Sequence, residues 1–536
     1  MQENRTEHRI LWGVILLMSS NIIVKLIGIL FKIPLHELLG DLGMGYFNVA
    51  YNIYASFYTV STSGLPIALS IYISESRAKG KIKETKKIFR IAFWMFLGIG
   101  TVGAGLMYFL SGVLAAAANA PAAANAIKVI APTLFFICVS SSMRGFFHGH
   151  QNMAPTAISE IFEAVGKFAI GIVFAKYAIS CGYSLETSTA FAIAGVTIGA
   201  VAGMIFLCSA KLMSPISREE GNFDEKVSAA RNIVKRLLII AVPVTISSLA
   251  INFVTIIDTF TITNILSGYT DNSMATAAYG NYTTLAVTLF HLPSALIYPI
   301  ATNITPAISR ALADNDAKKV RATANSAIKI AAILSIPSAL GMSALSKPVL
   351  SMLFSDKNSV NQAAPLLSIL AIAAIFTATL SITTSILQSH KRANTPIISI
   401  ACGSVVKLIL NIVLMSFEGI GIYGAPIATC AAYFVMALIN ILFVEKKLGI
   451  SINFWNSYLR PLIAAIICTS AAIFSYKLLD RFLPLAAATL AAILLTIVVY
   501  FFALLLVGGV REYDVLLLPK GAKIASVLKR IKLLRK

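Results

Sequence analysis

Long apolar segments alternate with short polar segments along almost the whole chain. Each apolar segment reaches about 20 residues, the length that a helix needs to cross the hydrocarbon core of a membrane. The pattern predicts fourteen membrane-spanning helices, over residues 10–35, 46–73, 89–114, 126–147, 156–179, 189–212, 237–265, 279–303, 327–350, 362–389, 395–416, 421–444, 461–479 and 484–509. Proline and glycine interrupt several of them, which membrane helices tolerate where neighbouring helices satisfy the freed backbone groups. The sequence therefore predicts an all-α integral membrane protein with hinged helices.

Composition excludes a soluble enzyme, a disordered chain and a disulfide-stapled chain. The 536 residues are 57% hydrophobic and 12% charged, with a mean hydropathy of +0.82. An ordinary soluble domain carries about 25% charged residues. The six cysteines are scattered without a CxxC pair, so we interpret them as free thiols that pack like small apolar residues. The first apolar segment is longer than the core of a signal peptide, which predicts that it is retained as the first span.

The distribution of basic residues predicts the orientation of the chain in the membrane. Of the 44 lysines and arginines, 34 fall on the face that holds both termini, 5 on the opposite face and 5 inside spans. Cytoplasmic loops are enriched in lysine and arginine. We therefore predict a multi-pass protein of the bacterial cytoplasmic membrane with both termini in the cytoplasm. The net charge of +21 then reflects topology and attraction to anionic lipids, and no nucleic-acid partner is expected.

Two parts of the chain repeat each other. At displacements of 233 and 240 residues, identical residues coincide: Tyr46 with Tyr279, Pro66 with Pro299, Arg77 with Arg310, Lys86 with Lys319, His150 with His390 and Lys167 with Lys407. Two copies of six helices have the same orientation in the membrane, an architecture typical of alternating-access transporters. The predicted domains are an N-lobe (1–212), a basic cytoplasmic connector (213–236), a C-lobe (237–447), two additional C-terminal helices (448–510) and a basic cytoplasmic tail (511–536).

Several short motifs follow one another in a specific order. They are Lys25-Leu-Ile-Gly28, Gly40-Asp-Leu-Gly43-Met-Gly45, Ser63-Gly64-Leu-Pro66, Met143-Arg144-Gly145, Asn152-Met-Ala-Pro155 and Asn394-Thr-Pro396. Together they resemble the multidrug/oligosaccharidyl-lipid/polysaccharide exporter superfamily, in particular its branch of stage V sporulation protein B and MurJ-type lipid II flippases from Gram-positive bacteria. The resemblance covers essentially the whole chain. It implies alternating-access transfer of an undecaprenyl-pyrophosphate-linked sugar, most of all lipid II, from the inner to the outer leaflet. It also implies that spans 13 and 14 line a groove for the isoprenoid tail.

Basic residues inside the spans are candidates for binding the substrate. A charge at mid-bilayer costs about 2.5–3.5 kcal/mol on insertion scales, so it should face a cavity or a partner. Lys25 and Lys32 lie two turns apart on one face of span 1, and lysine binds phosphate as a compact point charge. Lys32 is equally explained by an ammonium group that extends to the outer interface. The resemblance supports a substrate-binding role for Lys25, because the family usually has a cavity arginine at this position. Arg144 is a further candidate, since it lies in one of the motifs.

Span 5 carries a charged stripe. Glu160, Glu163 and Lys167 share one helix face, and Glu163 is spaced to pair with Lys167. Glu160 lies near the cytoplasmic end, where solvation alone can explain it. An ion pair between helices and a contact with the substrate both remain open for this stripe.

A second polar group is predicted in the C-lobe. Asn252 and Asp258 lie in span 7, and Lys407 and Asn411 lie in span 11. In some relatives, a carboxylate in span 7 and polar groups in span 11 hold a sodium ion. Because an ammonium group can take the place of a bound monovalent cation, we predict that Asp258 pairs with Lys407 and that transport needs no sodium. The alternative, in which the two residues face different neighbours, stays open.

No enzyme signature, cofactor motif or metal-ligand spacing is found in the sequence. It contains no GxxxxGK[ST] phosphate loop, and His148 and His150 have no carboxylate at ligand spacing. The rival functions are a cation-coupled multidrug exporter, another exporter of lipid-linked oligosaccharide or polysaccharide, a division or sporulation scaffold, and a sugar-polymer ligase. Membrane potential, protons and sodium all remain open as energy sources. We expect a monomer, with the cell-wall synthesis machinery as a possible partner.

Overall fold

The computed structural model describes residues 2–215, 227–390, 392 and 394–509, and most residues of each predicted span are helical. The helices are α1 (Gln2–Thr62), α2 (Gly64–Ala78), α3 (Ile82–Phe109), α4 (Ser111–Ala117), α5 (Ala124–Ile130), α6 (Thr133–Gly149), α7 (Ala154–Ser180), α8 (Leu185–Met213), α9 (Ala230–Leu266), α10 (Asn272–Asn281), α11 (Val287–Ala313), α12 (Ala317–Ala344), α13 (Ser346–Leu353), α14 (Lys357–Ser389), α15 (Asn394–Met415), α16 (Gly424–Leu448), α17 (Arg460–Leu479) and α18 (Leu485–Leu506). Short 3₁₀ turns cover Pro121–Ala123 and Gly421–Tyr423, and π-helical turns cover Tyr282–Ala286 and Trp455–Leu459.

Nine helical segments in the described part of the chain are long and apolar enough to cross a membrane. They coincide with predicted spans 3, 4, 6 and 9–14. Helix α7, which matches span 5, is long enough to cross a membrane but carries four charged residues. The prediction of an all-α membrane protein is confirmed, and the count of fourteen spans stays a prediction.

The first two predicted spans have different boundaries in the structure. Helix α1 continues through the expected loop with a kink at Gly40, whose φ of 64° and ψ of −177° are non-helical. A positive φ is readily adopted only by glycine. The second span, predicted as continuous over 46–73, is instead divided between α1 and α2 at Ser63. Hydroxyl groups near this point, including those of Thr59 and Ser63, donate to carbonyls four residues earlier, a pattern that bends helices.

The chain forms two compact units, Met1–Gly280 (unit 1) and Asn281–Lys536 (unit 2). In unit 1, α7 packs along α8 and against α1, while α9 packs against α1 and α2. The sequence repeat assigns α9 to the C-lobe, whereas its contacts place it in unit 1. The domain boundaries from the sequence stay a prediction. Connector residues 216–226 and the tail 511–536 lie outside the described residues.

Unit 2 is built around α14, which packs against α11, α12 and α16. Its main apolar core includes Ile308, Ile328, Ile382 and Val444, all nearly inaccessible to solvent. The additional helices α17 and α18 pack against each other, and α17 also packs against α12. The Tyr500 hydroxyl donates to the Ile333 carbonyl at 2.8 Å, which attaches α18 to α12.

Candidate functional site

A cavity of about 410 Å³ opens within unit 1 between α1, α6, α7 and α8. We call it the polar cavity. Four of the five predicted substrate-binding residues line it, namely Lys25, Arg144, Glu163 and Lys167, and Glu160 lines it as well. The fifth, Lys32, is half-buried on α1 and is not part of the lining. Residues more than one hundred positions apart in the sequence thus meet at one site.

An ion pair between two helices forms part of the wall of the polar cavity. Arg144 Nη2 of α6 donates to Glu163 Oε1 of α7 at 2.6 Å and also lies 3.4 Å from Ser159 Oγ. The two charged side chains are only 10% and 19% exposed. The predicted pairing of Glu163 with Lys167 is wrong, because Arg144 from the neighbouring helix is the partner of this carboxylate. A charge-assisted hydrogen bond with this geometry is among the stronger polar contacts in proteins.

Lys167 contacts aromatic rings instead. Its ammonium nitrogen lies 4.3 Å from the ring centre of Tyr51 and 5.1 Å from that of Phe31, both on α1. A cation over an aromatic face is attracted by the negative face of the ring. The ammonium group of Lys167 therefore lies at the cavity wall against aromatic rings, and not against a carboxylate in the described part of the chain.

A row of aromatic residues on α1 was not identified from the sequence. Tyr51, Tyr54 and Tyr58 all line the polar cavity, and Phe47 extends the row by one turn. Successive ring centres are 5.8–5.9 Å apart. The spacing of three and then four residues is that of one helix face, so the sequence contained a readable signal. Such rings offer an apolar face with a hydrogen-bonding hydroxyl at the edge.

Close packing of α7 on α8 positions the charged stripe. A Cβ atom at Gly195 would lie 2.4 Å from the Gly171 backbone nitrogen, so only glycine permits this approach. At Gly203, a Cβ atom would lie 2.6 Å from Glu163 Cγ and 2.7 Å from Glu163 Oε1. The carboxylate that holds Arg144 therefore rests directly on a glycine of the adjacent helix.

The second predicted polar group is divided between the two units. In unit 1, Asn252 Nδ2 donates to Thr59 Oγ1 at 2.6 Å, and Asp258 is 7% exposed. In unit 2, Lys407 and Asn411 lie one turn apart on α15, and both are fully buried. The pairing of Asp258 with Lys407 stays a prediction. Among the described residues, no three His, Cys, Asp or Glu side chains come together as a metal site.

Comparison with known proteins relates this architecture to membrane transporters. Residues 10–312 match the Polysaccharide biosynthesis protein family, and residues 243–413 match the MatE family. The lipid II flippase MurJ of Bacillus subtilis (strain 168) is 24% identical over 463 residues, which cover 83% of this chain and 84% of MurJ. Stage V sporulation protein B of the same organism is 23% identical over 468 residues, covering 87% of this chain and 89% of its own.

Two solved structures share the fold at low sequence identity. The lipid II flippase MurJ in an inward closed conformation has a TM-score of 0.70 at 17% identity, and the match covers 91% of this chain and 98% of that one. An inward-facing multidrug resistance MATE family transporter of the MOP superfamily has a TM-score of 0.68 at 15% identity, covering 80% and 94%. The fold is therefore that of the superfamily which the sequence motifs resemble.

Proposed function

The chain belongs to the Polysaccharide biosynthesis protein family, and from this membership we propose that it is a flippase for a lipid-linked cell-wall precursor. The substrate that we propose is an undecaprenyl-pyrophosphate-linked sugar of the lipid II type, moved from the inner to the outer leaflet. The similarity to the lipid II flippase MurJ over most of both chains supports this choice. No covalent step is required, so the protein acts as a transporter and not as an enzyme.

The observation that carries the proposal is the combination of charge and aromatic rings in the polar cavity. Its lining holds the three cations Lys25, Arg144 and Lys167 and the two carboxylates Glu160 and Glu163. Lys25 and Lys167 bring two ammonium groups to the lining, and an ammonium group binds phosphate as a compact point charge. The tyrosine row supplies flat faces and hydroxyls for the sugar, as ligand sites combine aromatic walls with a few polar groups.

The proposed mechanism is alternating access. A headgroup with two phosphates and several sugars cannot cross hydrocarbon unaided, because unpaired charges and hydroxyls are costly there. The polar cavity would accept the headgroup from one leaflet and release it to the other, while the isoprenoid tail stays in lipid. Helices α17 and α18, which pair with each other in unit 2, are the proposed boundary of the groove for that tail.

A cation-coupled multidrug exporter is the principal rival, since a MATE transporter shares the fold. A cavity for cationic drugs should carry an excess of carboxylates. The polar cavity instead has more basic than acidic residues in its lining. This balance favours an anionic substrate over a cationic one.

Depletion of the protein in its native host tests the proposal. A leaflet-resolved assay of the lipid-linked precursor should show accumulation in the inner leaflet and a falling accessible fraction in the outer leaflet. An unchanged inner-leaflet pool combined with increased sensitivity to cationic drugs would identify the exporter instead.

A further inference from the structure

A second cavity of unit 1, of about 430 Å³, lies where α2, α3, α6 and α8 come together, outside the polar cavity. We call it the basic cleft. Its lining includes four cationic side chains and one histidine, namely Arg77, Lys86, Arg90, Lys211 and His150. The described residues that line it include no aspartate or glutamate. Since the loop 74–90 is predicted to be cytoplasmic, the basic cleft lies at the cytoplasmic interface.

The floor of the basic cleft is aromatic. Phe89 and Phe146 meet edge to face with ring centres 5.1 Å apart, and Phe93 adjoins Phe89 at 6.1 Å. The ammonium nitrogen of Lys211 lies only 3.4 Å from the ring centre of Phe89. Cationic and apolar surfaces are therefore in direct contact, as a ligand with an anionic group and a hydrocarbon part would require.

The aromatic floor continues to the outer surface of the helices. The ring of Phe93 contacts that of Trp94, which is 63% exposed, and Leu212 at the end of α8 is 76% exposed. In a protein that spans a membrane, large apolar side chains on the surface face lipid, and tryptophan favours the interface with water. The basic cleft thus connects a group of cations to the lipid-facing surface.

We propose that the basic cleft binds the phosphate group of an anionic phospholipid, with an acyl chain lying along Phe93 and Trp94. Basic pockets between membrane helices on the cytoplasmic side are suited to anionic lipid headgroups. A soluble phosphate compound would use the cations but gain nothing from an aromatic floor that continues to Trp94. The site lies outside the polar cavity and does not depend on the proposed flippase activity.

The sequence repeat supplies a matched control. In unit 2, Arg310, Lys319 and His390 occupy the positions of Arg77, Lys86 and His150. The histidines even share a contact, because Nδ1 of His150 lies 2.7 Å from the Phe146 carbonyl oxygen and Nδ1 of His390 lies 2.9 Å from that of Ile386. However, the positions of Phe89, Phe93 and Phe146 are taken by Ala322, Ser326 and Ile386. Unit 2 keeps two of the four cations and the histidine without the aromatic floor.

Tryptophan quenching can test the site directly. The chain has three tryptophans, so Trp12→Phe with Trp455→Phe leaves Trp94 as the reporter in the full-length protein. In phosphatidylcholine nanodiscs, phosphatidylglycerol with brominated acyl chains should quench Trp94 more strongly than brominated phosphatidylcholine at the same mole fraction. Arg77→Gln with Lys86→Gln should lower the relative affinity for phosphatidylglycerol roughly thirtyfold, at about 1 kcal/mol for each cation removed. Arg310→Gln with Lys319→Gln removes the same charge and should leave it unchanged.

Three outcomes would overturn the proposal. Equal quenching by the two lipids would exclude a headgroup preference. Equal losses of affinity for phosphatidylglycerol in the two double variants would show that the general surface charge, and not the basic cleft, attracts the lipid. Relief of quenching by millimolar inorganic phosphate would identify a site for soluble phosphate. If the first double variant loses its helical circular dichroism, the single Arg90→Gln variant replaces it, with an expected loss of about fivefold.

Discussion

Units 1 and 2 carry different side chains at corresponding positions of the sequence repeat. In unit 1, Arg144 and Glu163 form the ion pair of the polar cavity, and Lys167 lies beside them. The repeat places Thr384, Gly403 and Lys407 at the corresponding positions of unit 2. Lys167 lies over aromatic rings at a cavity wall, whereas Lys407 is only 1% exposed. The same lysine position is therefore available to a ligand in one unit and buried in the other.

The difference extends to the neighbouring contacts. In unit 1, a charged pair joins α6 to α7, whereas in unit 2 Thr384 of α14 accepts a neutral hydrogen bond from Asn440 at 3.1 Å. The positions of Tyr51, Tyr54 and Tyr58 are taken in unit 2 by Thr284, Val287 and His291. The corresponding positions of unit 2 thus lack both the charged pair and the tyrosine row, and this difference supports unit 1 as the location of the proposed substrate site.

Breaking the ion pair of unit 1 should have the largest effect on stability. Arg144→Met or Glu163→Gln leaves a buried charge without its partner, so each should lower the free energy of unfolding by about 3–5 kcal/mol. The double variant should lose clearly less than the sum of the two. Thermal and denaturant unfolding in detergent micelles measures these values.

The neutral contact of unit 2 is the control for this experiment. Asn440→Ala removes a hydrogen bond between uncharged groups and should cost about 1 kcal/mol. Additive losses in the Arg144 and Glu163 double variant would show that the two side chains are not coupled, and the comparison between the units would then fail.

A smaller effect is expected from the glycine beneath Glu163. Gly203→Ala places a methyl group against Glu163 Cγ and Oε1, so the carboxylate must move and the protein should lose about 1–3 kcal/mol of stability. Gly98→Ala on α3 is the matched control, because its Cβ atom would meet nothing within 4 Å. This control should be neutral or gain up to about 1 kcal/mol from the higher helix propensity of alanine. Equal stabilities of the two variants would contradict the packing assigned to Gly203.

The smallest effect concerns the aromatic support of Lys167. Tyr51→Leu removes one of its two rings, and a cation–π contact of about 0.5–1 kcal/mol corresponds to a twofold to fivefold loss of affinity for the precursor. Tyr51→Phe keeps the ring and should retain most of the affinity. Native mass spectrometry with an undecaprenyl-pyrophosphate-linked sugar measures both. Identical affinities of the leucine and phenylalanine variants for the precursor would show that the ring of Tyr51 does not contribute to binding.

Much of the helical architecture could be predicted because long apolar segments identify membrane helices by length alone. The boundary at Ser63 could not be predicted, since it depends on hydroxyl contacts within the helix and not on hydropathy. Lys25, Glu163 and Lys167 could be predicted because charge inside a span requires an explanation, and Arg144 because it lies in one of the motifs. The partner of Glu163 was missed because Lys167 is near in sequence, while Arg144 is near only in space. The tyrosine row was missed although its spacing was visible.

We infer that the cations of the polar cavity are needed to move the lipid-linked precursor. The most direct test of this requirement uses host cells whose only copy carries Lys25→Ala with Lys167→Gln, at normal abundance in the membrane, and measures the precursor in each leaflet. A control copy carries Lys176→Gln, an exposed lysine on the same helix as Lys167. We expect inner-leaflet accumulation with the first copy, partial relief when Lys25→Arg replaces Lys25→Ala, and wild-type distribution with the control. A wild-type distribution in cells that carry the double variant would contradict the inference.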